Sequence, residues 1–194
     1  MRLGLDFYRQ GNVVEIARGM LGLVLCTRFS GGLTAGRIVE TEAYRGQLDR
    51  ACHAHGGRKT DRNAVMYEAG GVAYVYLCYG LHHLFNVVTN TEGEADAVLI
   101  RAVEPLRGEG CMARRRGRPA GDPHLTDGPG KVAQALGLTR EHNGISLAGN
   151  RLWIEGDGFM IEPQRILSGP RIGVSYAGDD AKLPWRFTLK KNKS

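Results

Sequence analysis

Apolar residues near the start of the chain fall at Val13, Ile16, Ala17 and Met20, the three-to-four spacing of a helix with one buried face. Asn12 and Glu15 supply an N-cap and an N3 partner, so the pattern predicts a helix opening at Asn12. The period then changes. Residues 23–29 and 33–44 read as a strand pair joined at Gly31-Gly32. The stretch 51–63 is polar, turn-rich and without period, and predicts a long loop of the kind that carries function. Segments 72–79 and 84–89, dense in β-branched and aromatic residues around Gly80-Leu81-His82-His83, predict a hairpin. Residues 95–103 predict a buried strand, because Ala97-Val98-Leu99-Ile100 is apolar on both faces. The segment 107–127 contains Arg114-Arg115-Arg116 among glycines and prolines and reads as a mobile basic surface loop. A short helix is expected from Pro129 through Ala135-Leu136 to Gly137, and strands at 151–155, 171–176 and 186–189. This order implies an α+β fold: a single mixed domain over residues 1–194, with a largely antiparallel curved β-sheet, flanking short helices and a protruding β-hairpin.

Composition narrows the class. With 194 residues and 42% apolar content the chain can bury a sizeable core without disulfide or metal staples. No apolar run approaches a membrane span, and residues 1–10 lack the apolar centre of a signal peptide. Cys26, Cys52, Cys78 and Cys111 are isolated from one another, with no CxxC pair, so reduced thiols in a cytoplasm are the expectation. The net charge of +6 comes mainly from 20 Arg against 6 Lys, which makes a polyanionic partner plausible.

Several residues stand out chemically. In an ideal strand Ile38, Glu40, Glu42 and Tyr44 share one face. Carboxylates on an interior strand are costly unless paired or used. Arg101 ends the apolar run of another interior strand and needs a carboxylate from among Glu40, Glu42 and Glu104. An arginine holding a Glu ionised would make a general base able to activate water, and a purely structural ion pair fits these residues equally well. Tyr74 and Tyr76 share one hairpin face, as core aromatics do. Tyr79, beside Gly80 at the tip, is placed either to wedge between base pairs or to cap the edge of the core. His53 and His55 form HxH and His82-His83 a second doublet, a weak pattern for metal, and none is expected. Gly128-Pro129-Gly130-Lys131 before a helix suits a phosphate contact or an ordinary helix start. No dinucleotide fingerprint, GxSxG or Walker spacing is present, and no cofactor is expected.

In order along the chain, Arg37-Ile-Val-Glu-Thr-Glu-Ala-Tyr44, Ala51-Cys-His53, Gly56-Gly-Arg-Lys-Thr60, Arg62-Asn63, Tyr74-Val-Tyr76, Tyr79-Gly80, Asn86, Leu99-Ile-Arg-Ala-Val-Glu-Pro105 and Gly128-Pro-Gly-Lys131 resemble the alkyladenine (3-methyladenine) DNA glycosylase family. The resemblance runs from Arg2-Leu-Gly-Leu to Leu183-Pro-Trp-Arg-Phe187. It implies a monofunctional base-excision enzyme that flips a damaged purine (3-methyladenine, 7-methylguanine, hypoxanthine or ethenoadenine) from double-stranded DNA and hydrolyses its N-glycosidic bond. By similarity, Glu42 is the general base and Arg101 holds the water and the carboxylate. Tyr44 and His53 stack on the flipped base, Tyr76 closes the pocket edge, and Tyr79 fills the vacated space. Asn86 crowds the exocyclic amine of normal guanine, and a backbone carbonyl within residues 172–174 faces the water. Arg58, Lys59, Thr60, Gly130 and Lys131 are then candidates for the DNA backbone. The hairpin's Leu81-His82-His83-Leu84-Phe85 departs from vertebrate members, which carry Met and aromatics there. The sequence also lacks their long N-terminal extension, as a compact bacterial monomer would. Two other functions fit the residues: a metal-dependent nuclease built on His53 and His55, and a non-catalytic reader of DNA lesions.

Overall fold

A computed structural model of the chain describes residues 1–29 and 31–190. A one-turn helix α1 (Leu5–Tyr8) precedes α2 (Val13–Gly19), β1 (Val24–Phe29) and the long β2 (Gly32–Tyr44). Asn12 caps α2 as its position implied: its side-chain oxygen accepts the N–H groups of Val14 at 3.1 Å and Glu15 at 3.4 Å, donors that have no partner inside the first turn. Next come the hairpin strands β3 (Ala73–Cys78) and β4 (His82–Thr89), then β5 (Asp96–Arg107), the helices α3 (Glu109–Arg116) and α4 (Pro129–Leu136), and the strands β6 (Leu152–Glu155), β7 (Ile166–Gly169) and β8 (Arg186–Leu189). The pairings are antiparallel in the order β3-β4-β5-β2-β1-β6, with β8 beside β2 and β7 beside β8. This is the mixed α+β fold with a curled antiparallel sheet that the sequence led us to expect. Among the described residues no helix is long and apolar enough to cross a membrane.

The β2–β5 pair separates two environments. On one face Ile38, Ala43, Val98 and Ile100 join the main core with Met20, Leu25, Phe85 and Leu136, which ties α2 and α4 to the sheet. Each of these side chains other than Ala43, fully buried, contributes about 1.5–3 kcal/mol. On the other face Tyr44 and Ala97 belong to a smaller cluster with Cys52, Ala54, Met66 and Tyr74.

Three local expectations need correction. First, Ile38 does not share a face with Glu42 and Tyr44. Ile38 pairs with Val103, Glu40 with Ala102 and Thr41 with Ile100, so Val39 is an extra residue on β2 and Arg101 an extra residue on β5. These adjacent bulges reset the alternation, leaving Ile38 in the core and Glu40 beside Arg101. Second, residues 107–127 are not a mobile loop. Helix α3 occupies Glu109–Arg116, Met112 is fully buried, and Arg115 and Arg116 donate to the carbonyls of Ala135 and Leu125 at 3.0 and 3.1 Å. Of the arginines that read as loop polarity, Arg115 ties α3 to α4 and Arg116 ties it to the segment before α4. Third, residues 171–176 are not a strand. Pro170 and Gly173, the latter at φ 77°, interrupt any ladder, and the strand formed here is β7, which ends at Gly169, two residues before Arg171.

Candidate active site

The hairpin reaches outward from the sheet. The Cys78 carbonyl accepts the N–H of Leu81 at 3.0 Å, and the two residues between them turn left-handed, Tyr79 at φ 49° and Gly80 at φ 70°. Such turns match the twist of the flanking strands. Glycine takes this conformation freely, whereas Tyr79 holds it at a cost. Tyr79 is 93% exposed, which rules out the reading in which it caps the core.

Below the tip lies a cavity of about 360 Å³, a volume suited to a small ligand. Tyr44, His53, Tyr76, Asn86, Tyr79 and Arg101 all line it, so the structure brings together six of the residues singled out in the sequence. Tyr44 enters from the end of β2, Arg101 from the bulge of β5, and Asn86 from β4, where its amide donates to the Tyr74 carbonyl at 3.2 Å. Tyr76 follows Tyr74 on the same strand face, their ring centroids 5.2 Å apart.

His53 comes from the 51–63 segment, which is irregular, as expected, and firmly held. Asn63 is its hub, a role the sequence did not reveal. Its amide donates to the carbonyls of His53 at 3.1 Å and Arg58 at 2.9 Å, and its oxygen accepts the Thr60 N–H at 2.7 Å. The imidazole of His53 sits 2.8 Å from the Tyr74 hydroxyl and edge-on to Tyr76 at 4.7 Å. His53 is an exposed residue. Desolvation of the ring, and then the charges of Arg62 and Arg58, nevertheless lower its pKa to about 4. The ring is therefore a neutral aromatic at pH 7. Its expected NMR titration midpoint is about 4, and a midpoint above 6 would contradict this environment. The linked stability has a definite sign. An unfolded histidine takes a proton near pH 6.5 and the folded one only near 4, so stability falls as pH drops through that window.

Glu42 is wholly buried and lies behind the cavity wall. One carboxylate oxygen accepts the Ile172 N–H at 2.7 Å and faces Arg101 at 3.4 Å, and the other accepts the Tyr44 hydroxyl at 2.8 Å. Arg101 also reaches Glu40 at 3.2 Å, and Arg186 meets the same Glu40 oxygen at 3.0 Å. Glu104, the third candidate partner, is exposed and takes no part. Each hydrogen-bond or ion-pair partner of the Glu42 carboxylate among the described residues is thus a donor, which holds an ionised carboxylate directly behind the Tyr44 and Arg101 wall of the cavity.

Comparison with known sequences gives the family. The sequence profile of the methylpurine-DNA glycosylase family matches residues 6–193. A protein of Chlamydia felis provisionally named 3-methyladenine DNA glycosylase is 48% identical over 195 residues, covering 97% of this chain and 96% of its own. Similarly named proteins of Methanocella arvoryzae and Desulfitobacterium hafniense are 46% and 41% identical, covering 96% and 99% of this chain and 92% and 97% of their own. The chain belongs to the methylpurine-DNA glycosylase family. Its members are DNA glycosylases, hydrolases that cut N-glycosyl bonds.

Within this family member, the remaining candidates stand apart from the cavity. Arg58, Lys59 and Thr60 lie on the exposed rim of the His53 loop, with Lys59 over the Tyr67 ring at 5.1 Å. Gly130 abuts the hairpin: a Cβ there would come within 3.1 Å of His82. Lys131 is bound to Asp127 at 2.7 Å. His53 and His55 do not converge, since His55 lies outside the cavity lining, and among the described residues no three His, Cys, Asp or Glu side chains gather to hold a metal ion. Arg171 is the residue the sequence reading missed. It is buried, paired with Asp49, and precedes Ile172, whose N–H meets Glu42. The signal existed, because an arginine in a segment expected to be a strand needs a carboxylate just as Arg101 does.

Proposed function

We propose that the protein is a monofunctional DNA glycosylase that flips an alkylated or deaminated purine out of duplex DNA and hydrolyses its N-glycosidic bond with a water activated by Glu42. The buried Glu42 carboxylate, bonded among the described residues to donors and lying behind the wall of an aromatic cavity, carries this reading. The flipped base stacks between Tyr44 and His53, where aromatic faces accept any purine, and Tyr76 closes the edge. Asn86, fixed by its bond to the Tyr74 carbonyl, crowds a 2-amino group and disfavours normal guanine. The water sits against Glu42 beside Arg101 and attacks C1′. Its proton passes to the carboxylate, and an abasic site remains. Arg58, Lys59, Thr60, Gly130 and Lys131 approach the phosphates, Lys131 by exchanging Asp127 for the stronger local anion. The enzyme acts as a cytoplasmic monomer without cofactor or metal.

The test is analysis of what the protein liberates from alkylated DNA. Free 3-methyladenine or 7-methylguanine is the expected product. Liberation of nucleotides in its place would establish a nuclease, and lesion binding without any product would establish a reader.

Tyr79 provides a separate check. An exposed ring on a strained turn can occupy the gap left by a flipped base. Tyr79→Ala should weaken the flipped complex about tenfold on a well-paired lesion and by less on a mismatched one, whose extrusion costs less. Equal losses in a binding titration would contradict the wedge.

A further inference from the structure

Arg171 lies outside the cavity but against one of its walls. Its guanidinium carbon is 4.8 Å from the centroid of the Tyr44 ring and 5.1 Å from that of Trp185, so the cation is held between two aromatic rings. The side chain is fully buried and does not line the cavity, which places it on the face of Tyr44 turned away from a bound base. Its position is fixed: the guanidinium bonds both Asp49 oxygens, the Ala43 carbonyl at 2.9 Å and the Asp180 carbonyl at 3.1 Å. Those bonds would suffice to tie the 170s segment to the Asp49 turn. Stacking on Tyr44 adds an electrostatic consequence.

A ring whose far face carries a cation offers less negative charge on its near face. We propose that Arg171 is a positioning residue that acts through Tyr44 on the charge of the flipped base, opposing positive charge while the base is bound and favouring its departure as the bond breaks. This deepens, and rests on, the glycosylase reading above. In hydrolysis the C1′–N9 bond breaks with its electron pair going to the purine, while the water oxygen bonds to C1′ and the water proton passes to Glu42. A 7-methylguanine cation therefore leaves as a neutral base. Hypoxanthine leaves as an anion that takes a proton from solvent. In both cases the base becomes more negative by one unit, and a guanidinium behind Tyr44 favours that change. Before the bond breaks the two lesions differ, because only the cationic one is repelled. Asp49 tempers the effect by neutralising part of the guanidinium charge.

The experiment uses duplexes carrying one 7-methylguanine or one hypoxanthine. Affinities are measured in a Glu42→Gln background, and single-turnover excision rates in the active protein. Arg171→Met should slow excision of both lesions by about tenfold, tighten 7-methylguanine binding by about threefold, and leave hypoxanthine affinity in place. Since Arg171→Met leaves Asp49 buried without its partner, Asp49→Asn provides a second arm. It exposes the base to more of the guanidinium charge, and should move the cationic-to-neutral affinity ratio in the opposite direction. A ratio that stays constant in both variants, or moves the same way in both, assigns Arg171 to scaffolding alone and overturns the proposal. Absence of excision of either lesion by the unaltered protein overturns the glycosylase reading itself.

Discussion

Glu42→Gln should lower base excision by about 10²–10⁴-fold, the range in which a positioned general base contributes, while lesion binding stays within about threefold. The substitution keeps the shape of the side chain and removes its ability to take a proton. It also fits the site. The amide oxygen can accept from Ile172 and face Arg101, and the amide nitrogen can donate to the Tyr44 hydroxyl, which reverses its role. Folding should therefore survive, so loss of turnover will report chemistry. Single-turnover excision and a fluorescence binding titration on the same duplex check the two halves. If binding collapsed together with turnover, Glu42 would be holding the pocket in shape, and the assignment of the base would fail.

Arg101→Met should cost about 3–5 kcal/mol of folding stability, measured by urea unfolding at pH 7, and abolish excision as well. Arg101 is the only cation within ion-pair reach of the buried Glu42 among the described residues, and it shares Glu40 with Arg186. Its removal leaves one carboxylate wholly buried beside two neutral donors. Because the cost comes from an uncompensated charge, replacing Glu42 by Gln in the same chain should recover much of the lost stability, though not the activity. Arg101→Lys keeps the charge but cannot fork between two carboxylates, and should fall between the two. A loss under 1 kcal/mol in Arg101→Met would show that Glu42 remains comfortable without the guanidinium.

What the sequence disclosed depended on whether the cause was local. The Asn12 cap, the hairpin around Gly80 and the apolar run at Ala97–Ile100 are short-range signals, and the structure has a helix, a hairpin and a buried strand in those places. Residues 107–127 misled because a helix rich in arginine has little apolar period of its own. Its order comes from bonds to Ala135 and Leu125, 20 and 9 residues further on, and from the buried Met112 and Ala113. The 171–176 segment misled for a related reason, since Arg171 is anchored on Asp49, 122 residues away in sequence. The cavity residues were legible as a set through family motifs. The bulges at Val39 and Arg101 that aim Glu40 and Arg101 together were not, because an inserted residue alters the pairing of two strands without leaving a mark in either alone. Asn63 belongs to the Arg62-Asn63 motif, yet its four-way grip on the His53 loop appears only in three dimensions.

The most direct test of the account is a duplex with a single hypoxanthine or ethenoadenine, incubated with the protein in EDTA and divided before alkali treatment. The account predicts an intact strand without alkali and a break at the lesion after it, the mark of an abasic product made by water and a protein carboxylate. Strand cleavage before alkali, or a reaction that EDTA stops, would contradict it.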